Sequence, residues 1–145
     1  MRALRAVFKN DRFAALAGVK LLEVSEGYAR ARMRIGPDHL NGFDIVQGGA
    51  IFTLADFAFA AAANSHGTAA VAISVSISFL EASRSGVLVA EAEEQALTPK
   101  LSSCTVRVTD SHGKLVALFT GMAYRKKQTV AEAGATGAAP RSRRR

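Results

Sequence analysis

The chain contains a single cysteine, Cys104, and no tryptophan. One cysteine excludes a disulfide within the chain and any metal site built from several thiolates, and it agrees with the reducing cytoplasm that we expect as its location. The first residues are basic, but no long apolar segment and no small-residue cleavage pattern follow them, so they do not resemble a signal peptide. We expect a short amphipathic helix within residues 1–13.

Several widespread catalytic motifs are also missing. The sequence has no G-x-S-x-G elbow, no phosphate-binding P-loop, no G-x-G-x-x-G and no H-E-x-x-H. Its three histidines, His39, His66 and His112, all lie in turn-like sequence, so we interpret them as surface or capping residues. No metal site is predicted.

The 145 residues, of which 49% are hydrophobic, suffice for one domain. The formal charge is +7, and most of it comes from residues 126–145, where six basic residues accompany one glutamate. This segment is rich in alanine, glycine and arginine and lacks aromatic residues, which predicts a domain over residues 1–125 and a disordered basic tail over 126–145. Attraction of nucleic acid by the terminal arginines is an alternative, but nothing in the rest of the sequence supports it.

Strand patterns occur twice before a long apolar segment and four times after it. Over residues 28–35, small or apolar residues alternate with three arginines, as is typical of a strand with one solvated face. The last two patterns flank DSHGK and predict a hairpin. Because the strands are grouped, we predict an α+β fold in which an antiparallel sheet is wrapped around one long buried central helix.

Residues 46–65, VQGGAIFTLADFAFAAAANS, predict that central helix and contain one charge, Asp56. The segment is marginally short and too polar to span a membrane. Burial of Asp56 among phenylalanines predicts a raised pKa, which is typical of a functional carboxyl. The alternative is a structural hydrogen bond from Asp56 to a neighbouring loop.

Two glycines, Gly48 and Gly49, stand where the helix should begin. Free N–H groups and the positive end of the helix dipole can stabilise an oxyanion there, although the glycines could instead only permit close packing. Gly48 and Asp56 are separated by roughly 12 Å along one helix, whereas a reacting group must lie about 3 Å from both. We therefore predict that two antiparallel helices meet across the two-fold axis of a homodimer.

The segment LNGFDIVQGGAIFTLADFAFAAAANSHG strongly resembles the signature of the PaaI-type acyl-CoA thioesterases, the phenylacetate-degradation branch of the hotdog-fold superfamily. The pattern is N-G-x-x-x-x-H-G-G-x-x-x-x-L-x-D, and the likeness covers roughly residues 10–125. It implies a hotdog fold, hydrolysis of an acyl-CoA such as phenylacetyl-CoA or a hydroxylated derivative, and a homodimer that pairs into a tetramer. Coenzyme A is then part of the substrate, and no separate cofactor is implied.

The resemblance also implies roles for individual residues. Gly48 matches the glycine whose N–H polarises the thioester carbonyl, and Asp56 matches the carboxylate that acts as nucleophile or general base. Asn41 matches a polar residue that helps to hold the site, and Ser74 falls where relatives place a Ser or Thr that orients the carboxylate or water. The alternative for Ser74 is a solvated serine, because Ser76 and Ser78 share its strand face. Gln47 stands where the family usually has histidine and cannot carry a proton charge.

Loss of this histidine leaves one main alternative, a non-catalytic acyl-CoA-binding or regulatory protein of the same fold. Phe57 stands where close relatives often have threonine, which predicts a tighter or more apolar pocket; the alternative is that Phe57 only packs in the core. Arg84, Lys100 and Arg125 are predicted to contact the phosphates of coenzyme A, because of their loop or strand-end positions alone. The predicted substrate-binding residues are Gly49, Phe57, Arg84, Lys100 and Arg125.

Overall fold

The computed structural model describes residues 1–138, and within them the chain forms four α-helices and six strands. The helices are α1 (Arg2–Lys9), α2 (Arg12–Ala17), α3 (Gly48–Ala63) and α4 (Val130–Ala138). The strands are β1 (Val19–Ser25), β2 (Tyr28–Arg34), β3 (Thr68–Phe79), β4 (Val87–Leu97), β5 (Leu101–Thr109) and β6 (Leu115–Thr129). None of these helices is long and apolar enough to cross a membrane.

The strands form one antiparallel sheet in the order β1-β2-β4-β5-β6-β3. The alternation in β2 is confirmed, because Ala29, Ala31 and Met33 are fully buried while the arginines between them keep solvent contact. The hairpin of β5 and β6 is also confirmed, with Asp110 accepting N–H bonds from His112 and Lys114 in its turn. The α+β prediction is therefore correct.

The N-terminal segment forms two helices rather than the single one predicted. Asp11 interrupts the helix and caps α2, since its Oδ1 accepts the Ala14 N–H at 2.9 Å. Gly18 ends α2 with a φ of 79°, a left-handed conformation that glycine adopts without strain. The chain then turns into β1.

Helix α3 packs on β2, β4 and β5 through small side chains. Leu54, Ala58, Ala61 and Ala62 have no exposed surface, so the helix lies close to the sheet. Its apolar composition predicted burial on all sides, and that prediction is wrong for one side of the helix. Gly49 is exposed and Thr53, Asp56 and Ala60 are half-buried, and these four residues, spaced along one side of the helix, form what we call the open stripe.

Strand β3 lies at the edge of the sheet with one side unpaired. Its large apolar side chains keep much of their surface, including Ile73 at 57% and Phe79 at 52% exposed. The strand has no charged residue along its twelve positions. A long apolar edge without charges is a surface on which another strand can pair.

The predicted domain boundary at residue 125 is wrong, because it falls inside β6, and α4 follows directly. Val130 is 5% exposed, and its N–H donates to the Gly67 carbonyl at 2.9 Å. Helix α4 packs against α1, where a Cβ on Gly134 would lie 2.6 Å from Val7. Composition did not predict this helix because its apolar partner comes from the other end of the chain. The rest of the predicted disordered tail, 139–145, lies outside the described residues.

Candidate active site

Asn41 closes the loop that precedes α3. Its side-chain oxygen accepts N–H bonds from Phe43 at 2.9 Å and Ile45 at 3.3 Å, and its own N–H donates to the Ile45 carbonyl at 2.8 Å. Asp44, with φ 56°, takes the left-handed conformation that this tight turn requires. The amide of Asn41 therefore fixes the path by which the chain reaches the helix.

His39 joins this loop to α2. Its Nδ1 accepts the Gly36 N–H at 2.9 Å, so the ring hydrogen is assigned to Nε2, which lies 2.6 Å from the Ala17 carbonyl oxygen. The His39 carbonyl accepts the Gln47 N–H at 2.8 Å. His39 is thus a structural residue that positions the first turn of α3.

The first turn of α3 leaves one N–H group free. The Gln47 side-chain oxygen accepts the Gly49 N–H at 2.5 Å, and the Gln47 carbonyl accepts the Ala50 N–H at 2.9 Å. No acceptor within residues 1–138 receives the Gly48 N–H. Gly48 therefore supplies an available donor at the positive end of the helix dipole, beside the ring of Phe79.

The Asp56 carboxyl lies two turns further along α3, on the open stripe. Burial raises its pKa, and the negative charge of Asp11 raises this pKa further. Within the described chain, it makes no ion pair and accepts no hydrogen bond. The alternative, a structural hydrogen bond from Asp56 to a neighbouring loop, is therefore not seen within residues 1–138.

One chain does not bring Gly48 and Asp56 together. Both belong to α3, whose 16 residues run from Gly48 to Ala63 in a continuous helix. The separation of about 12 Å expected from their spacing therefore applies. The site has a hydrogen-bond donor at one end and a carboxylate at the other, and each lacks its counterpart within the chain.

The structure does not place Ser74 beside Asp56, contrary to the sequence-based prediction. Ser74 pairs with Met122, next to Gly121, whose Cβ would point at Phe59 of α3. Cross-strand partners share a face and neighbours alternate, so Ser74 lies on the face of the sheet away from α3. A bulge between Ala72 and Ser74 shifts the register, and the sequence pattern does not reveal it.

Phe57 is part of the core rather than of an open pocket. It is 5% exposed, and its ring packs edge-on against Phe8 of α1 with centroids 5.3 Å apart. Phe52 is half-buried and packs against Phe119 of β6 at 5.7 Å. The prediction that Phe57 binds substrate is therefore corrected, because α1 covers that side of the helix.

The predicted phosphate contacts lie at two ends of the molecule. Exposed Arg84 follows Ser83, whose carbonyl accepts the Val46 N–H at 2.8 Å, so it lies beside the loop before α3. Arg125 donates from Nη1 to the Thr98 carbonyl at 3.0 Å and from its backbone N–H to the Lys100 carbonyl at 2.7 Å. Arg125 thus supports the β4–β5 turn, near the end of α3, and Lys100 is the exposed cation of that turn.

Two relevant residues were not identified from the sequence. Asp11 fits the pattern of a helix N-cap, but no sequence signal places its charge near Asp56. Phe79 belongs to a strand pattern that does not indicate contact with Gly48. For metals, residues 1–138 contain no cluster of three or more histidine, cysteine or acidic side chains able to hold an ion.

Comparison with known proteins identifies the family. The model of the Thioesterase superfamily matches residues 43–117. A protein of Archaeoglobus fulgidus is 45% identical over 120 residues, which cover 82% of this chain and 78% of that protein. The acyl-coenzyme A thioesterase PaaI of Escherichia coli is 35% identical over 126 residues, covering 86% of this chain and 90% of that enzyme.

A solved structure shows the same relationship in three dimensions. The E. coli PaaI protein from the phenylacetic acid degradation operon superposes with a TM-score of 0.85 and 34% identity, covering 88% of this chain and 94% of that one. The sheet and central helix described above are therefore the hotdog fold. The chain belongs to the thioesterase superfamily, and it is a PaaI-type hotdog thioesterase.

Proposed function

We propose that the protein hydrolyses acyl-CoA thioesters at a site formed by Gly48 of one subunit and Asp56 of another. The observation that carries this proposal is the complementary pair of unsatisfied groups on α3, a free N–H at its start and an unpaired carboxyl with a raised pKa on its open stripe. Such a donor and such a base are what acyl transfer to water requires. The name of the E. coli relative supports coenzyme A as the leaving group.

A homodimer follows from the same surfaces. The open stripe consists of small residues around Asp56, which permit a second α3 to approach closely in the antiparallel direction. The uncharged edge of β3 offers unpaired backbone groups to the same strand of a second copy. A two-fold axis through both surfaces produces two identical sites.

The chemistry uses water as the only second reactant. The Gly48 N–H donates to the thioester oxygen while the Asp56 carboxylate either attacks the carbonyl carbon or removes a proton from an attacking water. The C–S bond breaks, and the thiolate of coenzyme A takes up a proton. If water attacks, the acyl group leaves directly as a carboxylic acid; if Asp56 attacks, the acyl group first forms an anhydride with its carboxylate, and water then hydrolyses this anhydride to release the acid and restore Asp56. Negative charge develops beside the N-terminus of α3, where the helix dipole stabilises it.

The substrate proposed is an arylacetyl-CoA, with phenylacetyl-CoA and its hydroxylated derivatives as the first candidates. Two aromatic rings support this choice: Phe79 lies beside Gly48, and half-buried Phe52 lies in the second turn of α3, where it packs against Phe119. Arg84 and Lys100 are proposed as contacts for the coenzyme A phosphates, since antiparallel helices bring opposite ends of two subunits together. A cytoplasmic location and a tetramer made from two dimers complete the proposal.

The second candidate is a protein of the same fold that binds acyl-CoA without hydrolysing it. Gln47 favours it, because its side-chain oxygen is occupied by the Gly49 N–H and its amide carries no titratable proton. The two candidates differ in one measurable property, the release of free thiol. They share the prediction that acyl-CoA binds at the start of α3.

The test is thiol release from a panel of acyl-CoAs by the wild type and by Asp56→Asn. We expect Asp56→Asn to lower kcat by roughly 1,000-fold or more, as for loss of a catalytic base or nucleophile. The variant should unfold at no lower temperature, because burial disfavours the ionised carboxyl that it replaces. Glu26→Gln removes an exposed carboxyl elsewhere and serves as the control. Binding without hydrolysis by the wild type, across the whole panel, would establish the non-catalytic candidate instead.

A further inference from the structure

A large groove lies beside the C-terminal half of α3. It is open to solvent and lined by α1, the α1–α2 connection, α2, the first residues of β3, and α4, and its volume is about 1530 Å³. Nine of the twenty residues that line it are alanines, among them Ala60 of α3. Three cations, Lys9, Arg12 and Lys126, line it together with a single acid, Asp11.

The loop before α3 has the opposite character, and we name residues 40–47 the Phe43 loop. Phe43 projects from it with 84% of its surface exposed, although it is a large apolar side chain. Asn41 and the left-handed Asp44 hold the backbone on either side of Phe43 in a fixed turn. The segment 36–47 carries two acids, Asp38 and Asp44, and no lysine or arginine.

The helix register required by the proposed active site connects these two features. If Gly48 of one subunit lies level with Asp56 of the other, the antiparallel helices are centred on residue 52. The residues before Gly48 then lie alongside the partner residues that follow Asp56. Ala60 and Asn64 occupy those positions, and both line the groove.

We propose that the groove of each subunit receives the Phe43 loop of a second copy of the chain. The phenyl ring meets the alanines of the groove, and the acidic segment 36–47 meets its three cations. This contact rests on the proposed function for its helix register alone; the apolar tip, the groove and the charges are independent observations. It makes each oxyanion donor depend on the neighbouring subunit, because the loop that sets the position of Gly48 is held there.

Cross-linking measures the contact directly. In the full chain, Gly42→Cys is combined with Ala60→Cys, and in the control with Lys20→Cys, which is exposed on β1 at the opposite edge of the sheet. Gly42 belongs to the Phe43 loop and has open space around it, so this substitution leaves Phe43 in place. Burial raises the pKa of the native Cys104 thiol to about 11, so this cysteine does not compete for a short bis-maleimide at neutral pH. We expect covalent dimers from the first pair, with little product from the second.

Two results of this experiment would overturn the proposal. Equal cross-linking by both pairs would show that Phe43 is not directed at the groove. Loss of the cross-link when desulfo-coenzyme A is added would show that the groove holds substrate instead, because this analogue has no thiol that could consume the bis-maleimide. Hydrolysis without specific cross-linking would refute only the groove contact. Specific cross-linking without hydrolysis would refute only the proposed function.

Dimer affinity supplies the second measurement. Phe43→Ala should raise the dimer dissociation constant by at least about 100-fold, because a two-fold interface loses two copies of an aromatic anchor. Phe43→Leu should retain most of the affinity, and Phe13→Ala, which truncates another exposed phenylalanine on α2, should have much less effect. Analytical ultracentrifugation over a dilution series gives all three constants. Equal dissociation constants for Phe43→Ala and the wild type would refute the contact.

Discussion

Asp11 offers a way to shift the pH dependence of catalysis without touching the substrate. Its negative charge is the second cause, after burial, of the raised pKa of Asp56. Asp11→Asn removes that charge but keeps a side-chain oxygen that can accept the Ala14 N–H, so the cap of α2 is preserved. We expect the pKa of Asp56 to fall in this variant.

The size of the effect on rate follows from Coulomb's law. Two like charges about 6 Å apart in an effective dielectric of roughly 40 to 80 repel by about 0.7–1.4 kcal/mol, which is the range we take for a partly solvated pair of carboxylates. Because Asp56 must be ionised to act in the proposed mechanism, removal of the Asp11 charge should move the acidic limb of kcat/KM to lower pH. At a pH below the limb, the variant should therefore be about 3- to 10-fold faster than the wild type.

The assay is a pH profile of acyl-CoA hydrolysis at low salt, with the same profile repeated at high salt. Added salt should reduce the difference between variant and wild type, because the pair is only partly buried and ions screen it. Glu26→Gln, which removes another exposed carboxyl in the β1–β2 turn, should leave the acidic limb in place. An unchanged limb for Asp11→Asn, or a limb that moves to higher pH, would refute the electrostatic coupling.

Two further predictions concern the cap and the core. Gln47→Glu keeps an oxygen for the Gly49 N–H but adds a negative charge beside the developing oxyanion. We therefore expect kcat to fall about 10- to 100-fold, while the thermal unfolding temperature stays close to that of the wild type. A Gln47→Glu variant as fast as the wild type would mean that Gly48 does not stabilise the oxyanion. Gly121→Ala places a Cβ 2.8 Å from the Phe59 ring and 3.0 Å from Phe119, which should lower the free energy of unfolding by about 1–3 kcal/mol in a denaturant titration. Ala123→Gly, two positions along β6, is a comparison in which a side chain is removed rather than added. If Gly121→Ala is as stable as the wild type, the two phenylalanine rings adapt freely to the added Cβ.

The elements that could be predicted from the sequence are those with a strong local pattern. Helix α3 follows from an apolar segment too long for a strand, and β2 follows from its alternation of small residues with arginines. The distance between Gly48 and Asp56 also follows from sequence alone, because helical rise per residue is constant. These features depend on residues that are near one another in the chain.

The features that were predicted incorrectly depend on distant partners. Ser74 lies on the outer face because a bulge follows Ala72 and inserts one extra residue into the strand. A period-two pattern in the sequence does not reveal such an insertion. Helix α4 contains glycine and several alanines, and it is held by contacts with α1 that composition does not indicate. Phe57 is covered by Phe8 for the same reason. Tertiary contacts outweigh local composition at each of these positions.

The proposed dimer covers the uncharged edge of β3, and this edge also affects what happens to a single chain before it pairs. Most edge strands are protected by a lysine, a proline or a short length, and β3 has none of these over its twelve residues. A newly folded single chain therefore exposes a template for uncontrolled strand addition until a correct partner covers it. Substitutions that weaken subunit pairing should then appear first as aggregation and low yield during expression, before any purified protein is available for kinetics.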